Sequence, residues 1–317
     1  MELAIKNIEI VTTTRYPIVS AYEFDLLMDE GKIKTLLNQC SIYFILQRPL
    51  LLIQNLRISK LIEFNISDGT EKSHLKCAID PSQMQLHAQA NDVEVEVMFY
   101  KKEHNLTPPF NDVAGIKLIN GDGTFLTWLS PAKFVYAVLD REPGIFLADG
   151  DYRDYIDYYV HYIGKSFSQK IWNRIRKHEK MQKILTKENA LNNNGIAPAN
   201  EIALLMLDIV GFREIPIFGA FEQLLRDGIK PITHPVGTPA DNAKFDADWI
   251  SADSPKLTTE VEALLVNAFK PRYNKVLFEN YPYIESGTRS AGYTDSVLEM
   301  KKMPVTLKTE ACTHGVD

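Results

Sequence analysis

The sequence predicts an α+β protein in two parts. A mixed α/β N-terminal domain is expected over residues 1–140, a C-terminal domain with a small antiparallel sheet flanked by helices over 141–294, and a tail over 295–317. Three observations carry that expectation. The chain has 317 residues, about twice an ordinary domain length. Its hydrophobic residues switch between a period of two, as at Val93, Val95, Val97 and Phe99, and helical spacing, as at Ile171, Ile175, Met181 and Ile184. Near the middle, Arg141-Glu142-Pro143-Gly144 interrupts both patterns.

The elements follow in order. Ala21 to Gln39 carries Phe24, Leu27, Met28, Ile33, Leu36 and Leu37 at helical spacing around Gly31, so it is one bent helix or two short ones. Ser41 to Leu56 is rich in Ile, Leu, Tyr and Phe and reads as one or two buried strands. Residues 93–99 form a strand, and Ile116 to Trp128 a hairpin around Asn120-Gly121-Asp122-Gly123. Ser130-Pro131 supplies an N-cap and a proline at the first helical position, opening a helix through Leu139. Ile145 to Ala148 and Tyr158 to Ile163 are expected to pair as a hairpin. Helices are expected over Ser168–Leu185, Asn200–Val210 and Thr258–Phe269, the last stopped by Pro271, with mainly loop between Gly228 and Pro255.

Composition narrows the class. With 45% hydrophobic and 24% charged residues, sixteen Gly and sixteen Pro, the chain is neither disordered nor collagenous. Its longest apolar runs, Ser41 to Leu46 and Ile202 to Leu207, end at Gln47-Arg48 and Asp208, short of the roughly 20 residues of a membrane-spanning helix. The first residues, Met1-Glu2-Leu3-Ala4-Ile5-Lys6, lack the apolar stretch of a secretory signal, and a cytoplasmic protein is expected. Cys40, Cys77 and Cys312 are too scattered for a disulfide framework or a cysteine zinc site. A net charge of −6 argues against a general nucleic-acid coat.

Against that background one segment stands out. Lys165, Lys170, Arg174, Arg176, Lys177, Lys180, Lys183 and Lys187 face a single acid, Glu179. Such a run is ordinarily a solvated helix face. Here it follows Tyr162-Ile163-Gly164-Lys165-Ser166, a strand end whose glycine lets a polyanion approach the backbone. Arg174 and His178, four apart, share a helix face. A tyrosine, a fixed cation and an imidazole in one place suit a phosphodiester.

These residues resemble the GIY-YIG nuclease superfamily. Tyr162-Ile163-Gly164-Lys165-Ser166 is similar to its second motif. Arg174 and His178 match its helix signature of Arg followed four residues later by His or Tyr. Glu262, followed downstream by Pro271 and Asn274, is similar to its closing motif. The resemblance covers about residues 143–278. For the first motif, Gly144-Ile145-Phe146 has strand character but carries Phe where the family usually has Tyr; the alternative, Gly150-Asp151-Tyr152, lies in a loop-like stretch.

The resemblance implies a metal-dependent endonuclease that hydrolyses DNA phosphodiester bonds, of restriction or phage-defence type. Tyr162 would orient or deprotonate the water, and Arg174 would bind the scissile phosphate. Lys165, Lys170 and Lys177 would complete the phosphate field. His178 would assist proton transfer or fix the tyrosine, Asn274 would hold local backbone geometry, and Glu262 would be the single ligand of Mg²⁺ or Mn²⁺. Tyr152, Tyr158 and His161 are accessory candidates for the hydroxyl missing from the first motif. Two other readings stand beside this one: a nucleic-acid-binding module with a decayed nuclease site, and a nuclease acting on RNA. Residues 1–140 hold 13 Lys plus Arg and 17 Asp plus Glu, which favours sensing, oligomerisation or binding of an activating ligand or protein. A homodimer would allow double-strand cleavage.

Overall fold

A computed structural model describes residues 3–5, 7–20, 23–28, 31–69, 74–84, 93–100, 104–167, 171, 184, 200–215, 229–231, 250–251, 255–278, 288 and 295–315. The chain opens with β1 (Leu3–Ile5), β2 (Asn7–Thr14), β3 (Val19–Ser20), α1 (Glu23–Met28), α2 (Gly31–Leu37) and β4 (Ile42–Pro49). A second group follows: β5 (Leu52–Ile58), β6 (Ile62–Ser67), β7 (Leu75–Ile79), β8 (Val93–Phe99), β9 (Val113–Asn120), β10 (Phe125–Leu129), α3 (Pro131–Leu139) and β11 (Ile145–Asp149). The remainder is β12 (Asp157–Lys165), β13 (Asn200–Ile215), β14 (Ile229–Pro231), β15 (Ile250–Ser251), α4 (Pro255–Phe269), β16 (Asp295–Lys301), β17 (Thr306–Lys308) and β18 (Thr313–His314).

The strands build two large sheets. The first runs β16-β2-β13-β4-β12-β17-β18, with β3 and β15 also on β13; the second runs β10-β9-β5-β6-β7-β11, with β8 on β9. The expected helix-flanked α+β class does not hold: among the described residues strand takes 48% and helix 19%. The largest single difference is Asn200–Val210, expected as a helix, which is part of the sixteen-residue strand β13. Its Ala, Leu and Met residues favour helix intrinsically. However, Ile202 to Leu207 is buried on both sheet faces, and a strand buried on both faces reads as a continuous apolar run without alternation.

Chain order and sheet membership also part company. The strands of residues 7–49 share a sheet with those of residues 157–314 other than β14, which pairs with β1 apart, while the strands of residues 52–149 make the second sheet. The boundary expected at residue 140 falls at the C-cap of α3, next to that second sheet. The expected hairpin between residues 145–148 and 158–163 does not form, because β11 pairs with β7 whereas β12 pairs with β4 and β17. The segment expected as a tail instead enters the first sheet: β16 lies parallel to β2 and β17 parallel to β12. Of the helix expected over Ser168–Leu185, only Ile171 and Ile184 are among the described residues, and both are helical and buried.

Strand alternation divides the first sheet into two apolar faces. Ile42, Phe44, Leu46, Ala203, Leu205 and Leu207 point to the side covered by Leu257, Val261, Leu265 and Phe269 of α4. Tyr43, Ile45, Ile202, Leu204 and Met206 point to the side covered by Phe24, Leu27, Ile33 and Leu37 of α1 and α2. Trp128 of β10 enters that second cluster from the other sheet. Its ring fits because residue 115 is glycine: a Cβ there would lie 2.3 Å from the indole. The indole N–H donates to Glu23 Oε1 at 2.6 Å. Ser20 and Glu23 cap α1 reciprocally, Ser20 N donating to Glu23 Oε2 at 2.7 Å and Glu23 N to Ser20 Oγ at 3.2 Å.

A buried charge pair joins β4 to β13 within the first sheet and ties them to the turn between β11 and β12. Arg48 of β4 pairs with Glu201 of β13, donates to the Tyr155 carbonyl at 2.8 Å and lies 4.6 Å over the Tyr158 ring. Removing one member of such a pair strands a buried charge. Arg48→Ala is therefore expected to cost about 3–5 kcal/mol in urea unfolding. Arg48→Met combined with Glu201→Leu should recover most of that loss, and a double variant as weak as the single one would refute this account.

Candidate functional site

The site is built where β12 runs antiparallel to β4, with Gly164 opposite Tyr43, Tyr162 opposite Ile45 and Lys165 opposite Ile42. The Tyr43 and Tyr162 rings lie 6.0 Å apart at 41°. Gly164 makes that pairing feasible: a Cβ there would sit 2.6 Å from the Tyr43 hydroxyl and 2.7 Å from Tyr162 Cε1. Tyr43 is fully buried and Tyr162 only half-buried, so Tyr162 is the phenol nearer solvent.

A register shift between Val160 and Tyr162 turns the strand at His161. His161 is buried, with its Nε2 2.8 Å from Gln47 Oε1 and its ring edge-on to Tyr159 and Tyr273. Beyond the shift, β17 no longer pairs with β12, and Asn274 takes over that role. Asn274 Oδ1 accepts from Ile163 N at 3.0 Å and Nδ2 donates to Ile163 O at 2.8 Å, while Tyr273 N donates to His161 O at 3.1 Å. A side-chain amide thus satisfies both backbone groups of the residue between Tyr162 and Gly164, as a neighbouring strand would.

Lys165 and Tyr162 are three residues apart and project to opposite faces of the strand. Lys165 Nζ meets Glu262 Oε2 of α4 at 2.5 Å, with side-chain exposures of 22% and 14%. The structure therefore groups Lys165 and Glu262 on the α4 face of this strand end and Tyr162 with Tyr43 on the opposite face, with Asn274 along the strand edge between them. Arg174, His178, Lys170 and Lys177 lie outside the described residues. Tyr158 points to the α4 face against Arg48, and burial pushes its phenol well above the ordinary range. Tyr152 packs on the core of the second sheet. Neither accompanies Tyr162.

Gly144-Ile145-Phe146 lies in the second sheet, with Ile145 opposite Ile79 and Phe146 opposite Ala78, so it does not face Tyr162. Gly150 likewise lies against His74 and Leu75. The residue opposite Gly164 is Tyr43. Its signal in the sequence is Ser41-Ile42-Tyr43, an Ile-Tyr pair opening an apolar strand far upstream of Tyr162. Among the described residues no three His, Cys, Asp or Glu side chains group as a metal site. No family model, no curated protein and no solved structure matches the chain.

Two substitutions test the geometry. Gly164→Ala forces a methyl into the two rings and is expected to cost about 1–3 kcal/mol by chemical denaturation, with a changed tyrosine near-ultraviolet signal. Asn274→Ala leaves the Ile163 amide and carbonyl without their partner and should cost about 1–3 kcal/mol. Asn274→Asp, which sets a carboxylate oxygen against the Ile163 carbonyl, should not recover that loss, and wild-type stability of both variants would count against the strand-like role of the amide.

Proposed function

We propose that the chain is a metal-dependent nuclease of the GIY-YIG type that hydrolyses DNA phosphodiester bonds. The register that sets Tyr43 opposite Gly164, with Ile42 opposite Lys165 and Ile45 opposite Tyr162, supports the reading. It supplies a tyrosine on the strand facing Tyr162, where Gly144-Ile145-Phe146 would have supplied Phe. The resemblance then draws on residues either side of the second sheet.

In this reading Tyr162 contacts the attacking water through its hydroxyl. A free phenol titrates near pKa 10, so a cation beside it must favour the phenolate for it to take a proton at neutral pH. Tyr43 fixes the Tyr162 ring from behind and is a positioning residue. Arg174 would fork two donors onto the scissile phosphate, and His178 would hold or relay a proton. Lys165, Lys170 and Lys177 would add positive potential. Asn274 keeps Tyr162 aimed through the Ile163 backbone.

Glu262 is the group that would hold a divalent cation. One partly exposed carboxylate suits Mg²⁺ or Mn²⁺, which take one or two protein carboxylates and complete the shell with water and phosphate. When bound, such an ion supplies charge neutralisation at the phosphate and the departing oxygen. Lys165 then exchanges Glu262 for phosphate.

The reading carries DNA as partner, a cytoplasmic location, a restriction or phage-defence setting and, for double-strand breaks, a homodimer. Among the described residues no helix is long and apolar enough to cross a membrane. One observation favours binding without cleavage, the decayed-site reading: Tyr43 has no exposed surface. RNA stays open as a substrate because hydrolysis by water does not use the 2′-hydroxyl.

Supercoiled plasmid incubated with purified protein should be nicked or linearised in Mg²⁺ and left intact in chelator. Tyr162→Phe and Glu262→Ala should each lower the rate at least about 100-fold while keeping the wild-type thermal midpoint. Cleavage that survives both substitutions would remove the assignment. DNA binding with no cleavage in any metal would select the decayed-site reading.

A further inference from the structure

The segment after α4, Lys270-Pro271-Arg272-Tyr273-Asn274-Lys275, contributes Tyr273 and Asn274 to the backbone support of β12. Lys270, Arg272 and Lys275 are all exposed, and the segment contains no acid. Among the described residues neither Lys270 nor Lys275 has an ion-pair partner. A solvated turn would look the same in sequence. What separates this one from such a turn is how it is held.

Four contacts fix it. Lys270 N closes α4 onto Val266 O at 2.8 Å, and Thr309 Oγ1 donates to Phe269 O at 2.6 Å. Tyr273 and Asn274 bond the backbone of His161 and Ile163, on either side of Tyr162. Lys270 also adopts φ +47°, a left-handed conformation that glycine takes freely and other residues take at a cost. A cation is thus kept where a helix end would ordinarily place glycine. Two residues beyond the C-terminal end of β12, Phe167 is 43% exposed, with Lys165 Nζ 5.8 Å over its ring. Cations on rigid backbone with an exposed aromatic ring beside them are the combination by which proteins hold single-stranded nucleic acid: charge follows the phosphates and the ring stacks a base.

We propose that Lys270, Arg272 and Lys275 form a phosphate rail that seats a nucleic-acid strand along the Tyr162 edge, with Phe167 as the stacking face for an unpaired base. The proposal rests on the nuclease reading and narrows its substrate to strands with unpaired bases at the cleavage point, such as single strands, flaps or mismatches. An intact duplex has no free base face to offer Phe167.

The test measures binding apart from cleavage. Fluorescence anisotropy of a labelled single strand and of its duplex is followed with E262A in chelator, between about 50 and 200 mM salt. The single strand is expected to bind about tenfold more tightly than the duplex, and adding F167A should erase most of that preference. Each lost phosphate contact lowers the slope of log affinity against log salt by about 0.7 on a single strand, so K270Q/R272Q/K275Q should lower it by about 2. K270R/R272K/K275R, which keeps the charge, should retain the slope, and thermal midpoints check the fold of every variant. An unchanged slope in the glutamine variant, or a preference that survives F167A, overturns the rail while leaving the nuclease reading intact. Failure to bind any oligonucleotide overturns both.

Discussion

Much of the molecule depends on one strand being paired at both edges and covered on both faces. β4 bonds β12 on one side and β13 on the other, and its residues alternate between the α4 cluster and the cluster of α1, α2 and Trp128. A strand in that position cannot slip, because a shift of one residue would exchange every side chain between the two faces. That fixed register is what holds Tyr43 opposite Gly164. It also anchors Arg48, whose ion pair and ring contact bind β13 and β12 and whose carbonyl contact reaches the turn that leads from the second sheet into β12.

The site sits at the margin of this rigid core. Backbone pairing from β17 stops after residue 159, and the Asn274 amide takes its place alongside Ile163. A side chain in place of a strand leaves Tyr162 half-buried at an edge without leaving the Ile163 backbone groups unbonded. Rigid backbone beneath and open surface beside is what preorganised chemistry needs. The Lys165–Glu262 pair sits at the same margin, each charge balanced by the other and both side chains partly exposed.

How much of this was legible in the sequence depended on whether the deciding interactions were local. Ser130-Pro131 announces α3, and the Ser130 side chain does accept from Lys133 N at 3.3 Å. The Val93–Phe99 alternation is β8, and the Asn120-Gly121 turn joins β9 to β10. β13 was not legible, because its Ala, Leu and Met content favours a helix while its burial on both faces removes the alternation that marks a strand. The partner of Tyr162 was hidden for another reason: Ser41-Ile42-Tyr43 is separated from it by a whole second sheet, and nearness in sequence pointed to Gly144-Ile145-Phe146 instead. Lys165, Glu262 and Asn274 were readable as types and order; that the amide bonds Ile163 follows only from the packing of α4.

The nesting of the second sheet between β4 and β12 has a consequence for how the protein is made. Ribosomes add roughly 5–20 residues per second, so several seconds separate the emergence of β4 from that of β12, and more pass before β13. Throughout that interval Ile42-Tyr43-Phe44-Ile45-Leu46 is an apolar segment of high β-propensity with neither of its eventual neighbours. The newborn chain therefore carries an apolar, strand-forming stretch unshielded while the second sheet is completed, so early folding of residues 52–149, which brings the two ends together, shortens its exposure.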